Sequence, residues 1–212
     1  MSYASADRRC ALQLLWQIDE RLAEIVAAAR EPAIGAMRLI WWRDALAALD
    51  MPGTAPPAEP LLVAAGETFS RAGVSGEAVA AIEEGWAALL DQDVPGEREI
   101  LVHGERRGGP LFEIAASILG APPPGIDRAG EGWALADLGH RLRDEDARRF
   151  ARARAASRLS SVDMSRWPSS LRALGLLILL ARQDAAMPAD RLRRQGSPKR
   201  MFRALAYRLT GR

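Results

Sequence analysis

A three-and-four spacing of apolar residues runs through nearly every segment of this chain, and no segment alternates convincingly with a period of two. From Asp7 onward, six large apolar residues fall near one side of a helix: Leu12, Leu15, Trp16, Leu22, Ile25 and Val26. Such spacing is typical of an amphipathic helix that packs on a core. Because β-branched residues are scarce outside the helical patterns, the sequence predicts an all-α fold.

Two proline- and glycine-rich breaks interrupt the helical pattern, DMPGTAPPAEP at 50–60 and PPPGIDRAGEG at 122–132. Neither break is long enough to separate two cores, and 212 residues suit one domain. We therefore predict a single helical domain over 1–212, with a basic helix at about 197–212.

The longest apolar run, Ala173 to Ala181, is far short of the ~20 residues that a membrane-spanning helix needs. The first acids follow too soon after the N-terminal apolar stretch for a signal peptide. Cys10 is the sole cysteine, which excludes a disulfide framework within the chain. These features predict a soluble, cytoplasmic protein.

The stretch REPAIGAMRLIWWRDAL, residues 30–46, begins a helix at its proline. Its spacing predicts a buried stripe of Ile34, Met37, Trp41, Ala45 and Leu49. One interpretation is a core helix whose arginines reach solvent or pair with nearby acids. The other is the wall of a site in which Arg38 and Arg43 contact a charged substrate or partner.

The same stretch resembles the segment after the first aspartate-rich helix of the squalene/phytoene synthase family. A second stretch, ERRGGPLFEIAASILGA at 105–121, is similar to that family's mid-chain segment. Residues 132–149 and 166–185 resemble its second aspartate-rich helix and a later helix. The resemblance implies an isoprenoid-synthase-like helical bundle around a central cavity.

In active members of that family, aspartates on two facing helices hold magnesium ions that bind two prenyl diphosphates. The chemistry is ionisation of an allylic diphosphate followed by head-to-head condensation. Each helix must offer two carboxylates four residues apart, so that both point at the same metal cluster.

The first acidic helix departs from that pattern. Asp19 is followed four residues later by Ala23, which breaks the aspartate pair. Glu20 and Glu24 are four apart and share a face, so they are the candidate ligands on this helix. An exposed glutamate pair balanced by arginines is the alternative interpretation.

The second acidic helix is also altered. Asp144 and Asp146 are some 200° apart around a helix and cannot chelate one metal together. Asp137 and Asp144 share a face, about 10 Å apart. The candidate residues facing magnesium or diphosphate are therefore Glu20, Glu24, Asp137, Asp144, Arg38 and Arg43, with Glu20, Glu24 and Asp144 as the candidate metal ligands.

Two functions remain open from the sequence. The altered motifs favour a non-catalytic relative that binds an isoprenoid or another lipid, or a protein partner in a membrane or respiratory complex. The resemblance is closest to a branch that includes a mitochondrial assembly factor for respiratory complex I. The alternative is an active prenyl-diphosphate transferase that uses Mg²⁺ through these unconventional ligands.

Two smaller features complete the predictions. His103 is interpreted as a neutral, hydrogen-bonded histidine at a helix end. In the basic C-terminal segment, Phe202 lies on an apolar stripe flanked by Arg200, Arg203 and Arg208. That pattern suits peripheral contact with the inner face of a membrane, or docking on the bundle, and argues against nucleic-acid binding.

Overall fold

The computed structural model describes residues 6–90 and 93–188, and within these ranges the regular secondary structure is helical, without a β-strand. The α-helices in chain order are α1 (Ala6–Ala28), α2 (Pro32–Ala47), α3 (Pro60–Ala72), α4 (Gly76–Ala80), α5 (Glu83–Ala87), α6 (Glu97–His103), α7 (Gly109–Leu119), α8 (Ile126–Arg141), α9 (Glu145–Ser160) and α10 (Arg172–Ala185). The all-α prediction is confirmed.

Residues at the helix ends account for several of these boundaries. The Ser75 hydroxyl accepts the Ala78 N–H at 3.2 Å and begins α4. The Glu59 carboxylate accepts the N–H groups of Leu61 and Leu62 and begins α3. Gly73, with φ of 67°, ends α3 in the left-handed conformation that glycine adopts without strain.

The core lies between α1 and a group of helices centred on α8. Helix α8 packs against α7, α9 and α10, while α1 packs against α2, α3 and α7. Large side chains that are fully or almost fully buried fill the space between them, among them Leu15, Ile18, Leu22, Leu39, Phe69, Trp86 and Phe112.

Between α6 and α7 the backbone stays helical but widens into one turn of π-helix over Gly104–Gly108. Pro110 explains the widening, since it lacks the N–H for a regular helical bond and its ring would clash with the carbonyl of Arg106. The turn changes which side chains point inward. Arg107, inside the turn, is directed into the core.

The π turn and α8 approach each other closely at Gly108 and Gly130. A Cβ atom on either glycine would overlap the carbonyl oxygen of the other. Gly85 of α5 is equally close to the backbone of Arg107, because a Cβ there would lie 2.5 Å from the Arg107 nitrogen. These three glycines bring α5 and α8 against the π turn.

We expect Gly130→Ala to lower the free energy of unfolding by about 1–3 kcal/mol, because α8 must move away from Gly108 of the π turn to admit the methyl group. Urea denaturation followed by circular dichroism measures the change. Gly109→Ala is the matched control, because a Cβ there has its nearest contacts at 3.9 and 4.0 Å. A Gly130 variant as stable as the Gly109 variant would contradict this account.

The buried stripe predicted for α2 is wrong for three of its members. Ile34, Met37 and Trp41 are 47%, 63% and 46% exposed. The buried face instead carries Gly35, Leu39, Trp42, Ala45 and Leu46. The adjacent tryptophans lie about 100° apart on the helix, and it is Trp42 that faces the core.

The single helix predicted across Asp137 and Asp144 is also wrong, because α8 ends at Arg141 and α9 begins at Glu145. The Asp144 carboxylate accepts the Ala147 N–H at 2.8 Å and caps the N-terminus of α9. Asp137 and Asp144 therefore do not share one helix face.

Among the described helices, none combines the length and the apolar character required to cross a membrane. The predicted basic helix at 197–212, with Arg200, Phe202, Arg203 and Arg208, lies outside the described residues.

Candidate site: an arginine between two acidic helices

The arginine of the π turn lies at the centre of the bundle. The side chain of Arg107 is 1% exposed and points between α1 and α8. A fully buried guanidinium requires partners for its charge and its N–H groups. The two helices expected to carry the family's aspartate motifs supply those partners.

On the α1 side, Asp19 holds Arg107 through both carboxylate oxygens. Arg107 Nε donates to Asp19 Oδ1 at 2.9 Å and Nη2 donates to Oδ2 at 2.8 Å. The indole Nε1 of Trp86 also donates to Asp19 Oδ1, at 2.9 Å. Asp19 is 3% exposed, so this bidentate pair is removed from water.

On the α8 side, Asp137 accepts a hydrogen bond from Arg107 Nη1 at 2.9 Å. The same Asp137 oxygen accepts Nε of Arg141 at 2.9 Å. Arg141, which is 36% exposed, also donates from Nη2 to Glu20 on α1 at 3.0 Å. The chain of charges therefore runs from the buried Asp19 to the exposed Glu20 and links α1 to α8.

Aromatic rings enclose the Arg107 guanidinium. Its Cζ lies 4.3 Å from the ring centroid of Trp86 and 4.7 Å from that of Trp133. Trp133 in turn packs against Trp16 and Phe112, with centroid separations of 5.2 and 5.5 Å. At this level the space between the acidic helices is occupied by packed side chains and an internal cation.

His103, four residues before Arg107, is the last member of the central cluster. This cluster consists of Asp19, Trp86, His103, Arg107, Trp133 and Asp137. Its Nδ1 donates to the Gly85 carbonyl at 2.7 Å, which leaves Nε2 to accept from Arg107 Nη1 at 3.3 Å. Complete burial lowers the pKa of His103 from 6.5 to about 3, and the charge of Arg107 adds to the effect. The structure agrees with the predicted neutral, hydrogen-bonded histidine.

The pKa values of Arg107 and Asp137 are shifted so that both groups stay charged. Burial opposes the charge on Arg107, but Asp19 and Asp137 outweigh it and raise the Arg107 pKa. Burial also opposes ionisation of Asp137, but Arg107 and Arg141 lower its pKa to about 2. The buried arginine is thus a permanent cation, and Asp137 remains ionised at neutral pH.

The predicted site residues are not brought together as one group. Glu20 pairs with Arg141, whereas Glu24 accepts Nη1 of Arg21 at 2.9 Å on the surface of α1. Asp144 caps α9, as described above. Only Asp137 among the predicted acids reaches the central cluster.

The two predicted arginines lie on α2, away from the central cluster. Both side chains of Arg43 and Asp44 are exposed, and Arg43 bonds Asp44 through Nε and Nη2 at 3.0 and 2.9 Å. Arg38 is exposed beside Trp41 and Trp42 on the outer surface.

Sequence reasoning missed Asp19 and Arg107. A metal-binding pattern excludes Asp19, since its partner position is Ala23, but an aspartate can bind a guanidinium as well as a metal. A signal for Arg107 was present in the spacing, because His103, Arg107 and Leu111 recur every four residues on an otherwise apolar face.

The described residues contain no group of three or more histidine, cysteine, aspartate or glutamate side chains that could hold a metal ion. The fold and this centre nevertheless define a class of protein. It is an all-α, isoprenoid-synthase-like bundle in which carboxylates of two helices face each other across the interior.

The chain belongs to the squalene/phytoene synthase family, which it matches over residues 1–162. The match covers α1 to α9 and therefore includes both acidic helices and the π turn. No curated protein and no solved structure gives a significant match to the chain.

Proposed function

We propose that this chain is a non-catalytic member of the squalene/phytoene synthase family that acts by binding a partner. One observation carries the proposal. Asp19 and Asp137, on the two helices that would hold magnesium in an active member, both bind the buried guanidinium of Arg107.

The residues present do not fit the family's magnesium clusters. A magnesium ion bound by Asp19 and Asp137 would have to displace Arg107 or sit beside its permanent positive charge. Within the described ranges the other predicted acids add no ligand to the pair, because Glu20 bonds Arg141, Glu24 lies in a surface ion pair and Asp144 caps α9. We therefore assign no catalytic step to magnesium in this protein.

Diphosphate chemistry without those ions is also unfavourable here. Two prenyl diphosphates bring several negative charges, and a low-dielectric interior makes uncompensated charge costly. Arg107 supplies one positive charge, but Asp19 and Asp137 already neutralise it. Its 1% exposure also keeps it from a ligand outside the core.

The alternative function is an active prenyl-diphosphate transferase that uses Glu20, Glu24, Asp137 and Asp144. It would require these four acids to converge. They instead lie in a Glu20–Arg141–Asp137 network, a surface pair and a helix cap.

We expect the purified full chain, incubated with Mg²⁺ and radiolabelled farnesyl or geranylgeranyl diphosphate, to form no C30 or C40 product. Without tight binding to the folded state, Mg²⁺ and diphosphate together should leave the Tm unchanged. An active family member serves as the positive control in both measurements. Product that is lost on Glu20→Ala or Asp144→Ala would overturn the proposal.

The binding role has its own measurement. We propose a lipid, such as an isoprenoid, or a protein of a membrane or respiratory complex as the partner, with the chain acting in the cytoplasm or peripherally at a membrane. We expect the chain purified from its native cells to carry a stoichiometric partner protein or an extractable lipid. A chain that purifies alone and free of lipid would contradict this part of the proposal.

A further inference from the structure

The outward face of α2 is apolar. Ile34, Met37, Ile40 and Trp41 are 47%, 63%, 42% and 46% exposed. With Arg38 and Trp42, three of them line a shallow groove on the surface of the protein. Isolated exposed apolar residues are common, but four within eight positions of one helix form a patch.

This patch is not needed to hold α2 on the bundle. The opposite face anchors the helix through Leu39, Trp42 and Leu46, which are at most 5% exposed. Gly35 allows close packing there, since a Cβ would lie 2.8 Å from Leu90. The outer side chains are therefore available to something outside the described part of the chain.

Arginines border the patch on both sides. At 100° per residue, Arg38 lies about 40° from Ile34 on one flank, and Arg43 lies about 60° from Ile40 on the other. Asp44 falls within the outward face at its C-terminal end, where Arg43 neutralises it. Among residues 6–90 and 93–188, no carboxylate forms an ion pair with the exposed side chain of Arg38.

We propose that the outer face of α2 docks on an anionic lipid bilayer. Ile34, Met37, Ile40 and Trp41 enter the boundary between headgroups and acyl chains, and Arg38 contacts the lipid phosphates. An apolar stripe with tryptophan and flanking arginines is the pattern of helices that lie in that interface. The proposal does not depend on the lack of catalysis, because an enzyme could use the same surface.

The size of the patch favours a bilayer over a second copy of the chain. The four side chains expose on the order of 400 Å², comparable to the largest patches on monomeric proteins. Each partner of a standard protein interface buries ~800 Å². A bilayer has no such threshold, since each inserted side chain and each arginine adds to the affinity independently.

The test is sedimentation of the full chain with phosphatidylcholine vesicles, with and without phosphatidylserine. We expect binding to the phosphatidylserine vesicles that weakens as salt rises. Met37→Ser/Trp41→Ser should reduce the affinity by about tenfold or more. Arg38→Gln should reduce it about fivefold, the equivalent of one arginine near an anionic surface.

Val63→Ser is the matched control, because Val63 is 44% exposed on α3 outside the patch and should bind like the unaltered chain. Absent binding, or binding that the double variant leaves unchanged, overturns the proposal. If binding is lost only when the charges of Arg200, Arg203 and Arg208 are reversed, the C-terminal segment binds the vesicles, and the proposal is overturned. A concentration-dependent dimer in light scattering that Met37→Ser/Trp41→Ser abolishes also overturns the proposal, because the patch then binds a second copy of the chain.

Discussion

Replacing Arg107 by methionine is expected to lower the free energy of unfolding by about 3–5 kcal/mol, the cost of removing one partner from a buried ion pair. Methionine fills a similar volume but leaves Asp19 without its bidentate partner at 3% exposure. Asp137 keeps the hydrogen bond from Arg141 but loses the buried one from Arg107. Urea denaturation at pH 7 measures the loss.

The neighbouring arginine provides the control. Arg106 is 56% exposed and lies 3.6 Å from Glu84, so Arg106→Met should change the stability by less than ~0.5 kcal/mol. If the Arg107 variant does not fold, the triple variant Asp19→Asn/Arg107→Met/Asp137→Asn remains informative. Removing all three charges should recover most of the loss, because buried ion networks replaced as a whole are often neutral in cost. A triple variant no more stable than the single one would contradict the charge-pairing account.

Helical periodicity predicts the all-α fold, and Pro32 predicts the start of α2, because both depend on local spacing and local backbone preferences. The end of α3 at Gly73 and the start of α4 at Ser75 have equally local causes. They result from a left-handed glycine and from side-chain capping, which act within a few residues. The family followed from two segments of specific sequence. These signals are local in the sequence, so they can be recognised without knowledge of the tertiary structure.

The orientation of α2 could not be predicted in the same way. With Trp41 and Trp42 adjacent, two apolar stripes fit the helical period about equally well, and the choice depends on the surface beneath the helix. Gly35 and Leu39 share the face of Trp42, and that face packs inward. The outer stripe is equally apolar, so composition alone does not separate a buried face from a docking face.

The central cluster was missed because its parts are far apart in the sequence. Arg107 is 88 residues from Asp19 and 30 residues from Asp137. A search for acids four residues apart assumes that the cation comes from outside the chain. Here the cation is a side chain, and a π turn forced by Pro110 directs it inward.

The second large effect is a loss of stability on mild acidification, and it depends on His103. In the unfolded chain this histidine takes up a proton near pH 6.5, whereas in the folded protein its pKa is about 3. The stability contributed by the neutral ring is therefore fully present above pH 6.5 and is lost as the pH falls toward 3. Between these values the slope is about 1.4 kcal/mol per pH unit, so about 2–3 kcal/mol is lost between pH 6.5 and 4.5.

His103→Gln isolates this contribution, because glutamine can donate and accept hydrogen bonds but does not titrate. We expect the variant to be less stable than the unaltered chain at pH 7.5, since its packing differs, and to show a shallower fall in stability between pH 6.5 and 4.5. His140→Gln retains His103 and should keep the His103 part of the slope. Urea denaturation at intervals across this range makes the comparison, in which other titrating groups largely cancel. Parallel curves for the unaltered chain and His103→Gln would contradict the lowered pKa of His103. That lowering is expected because the ring is completely buried and lies 3.3 Å from Arg107 Nη1.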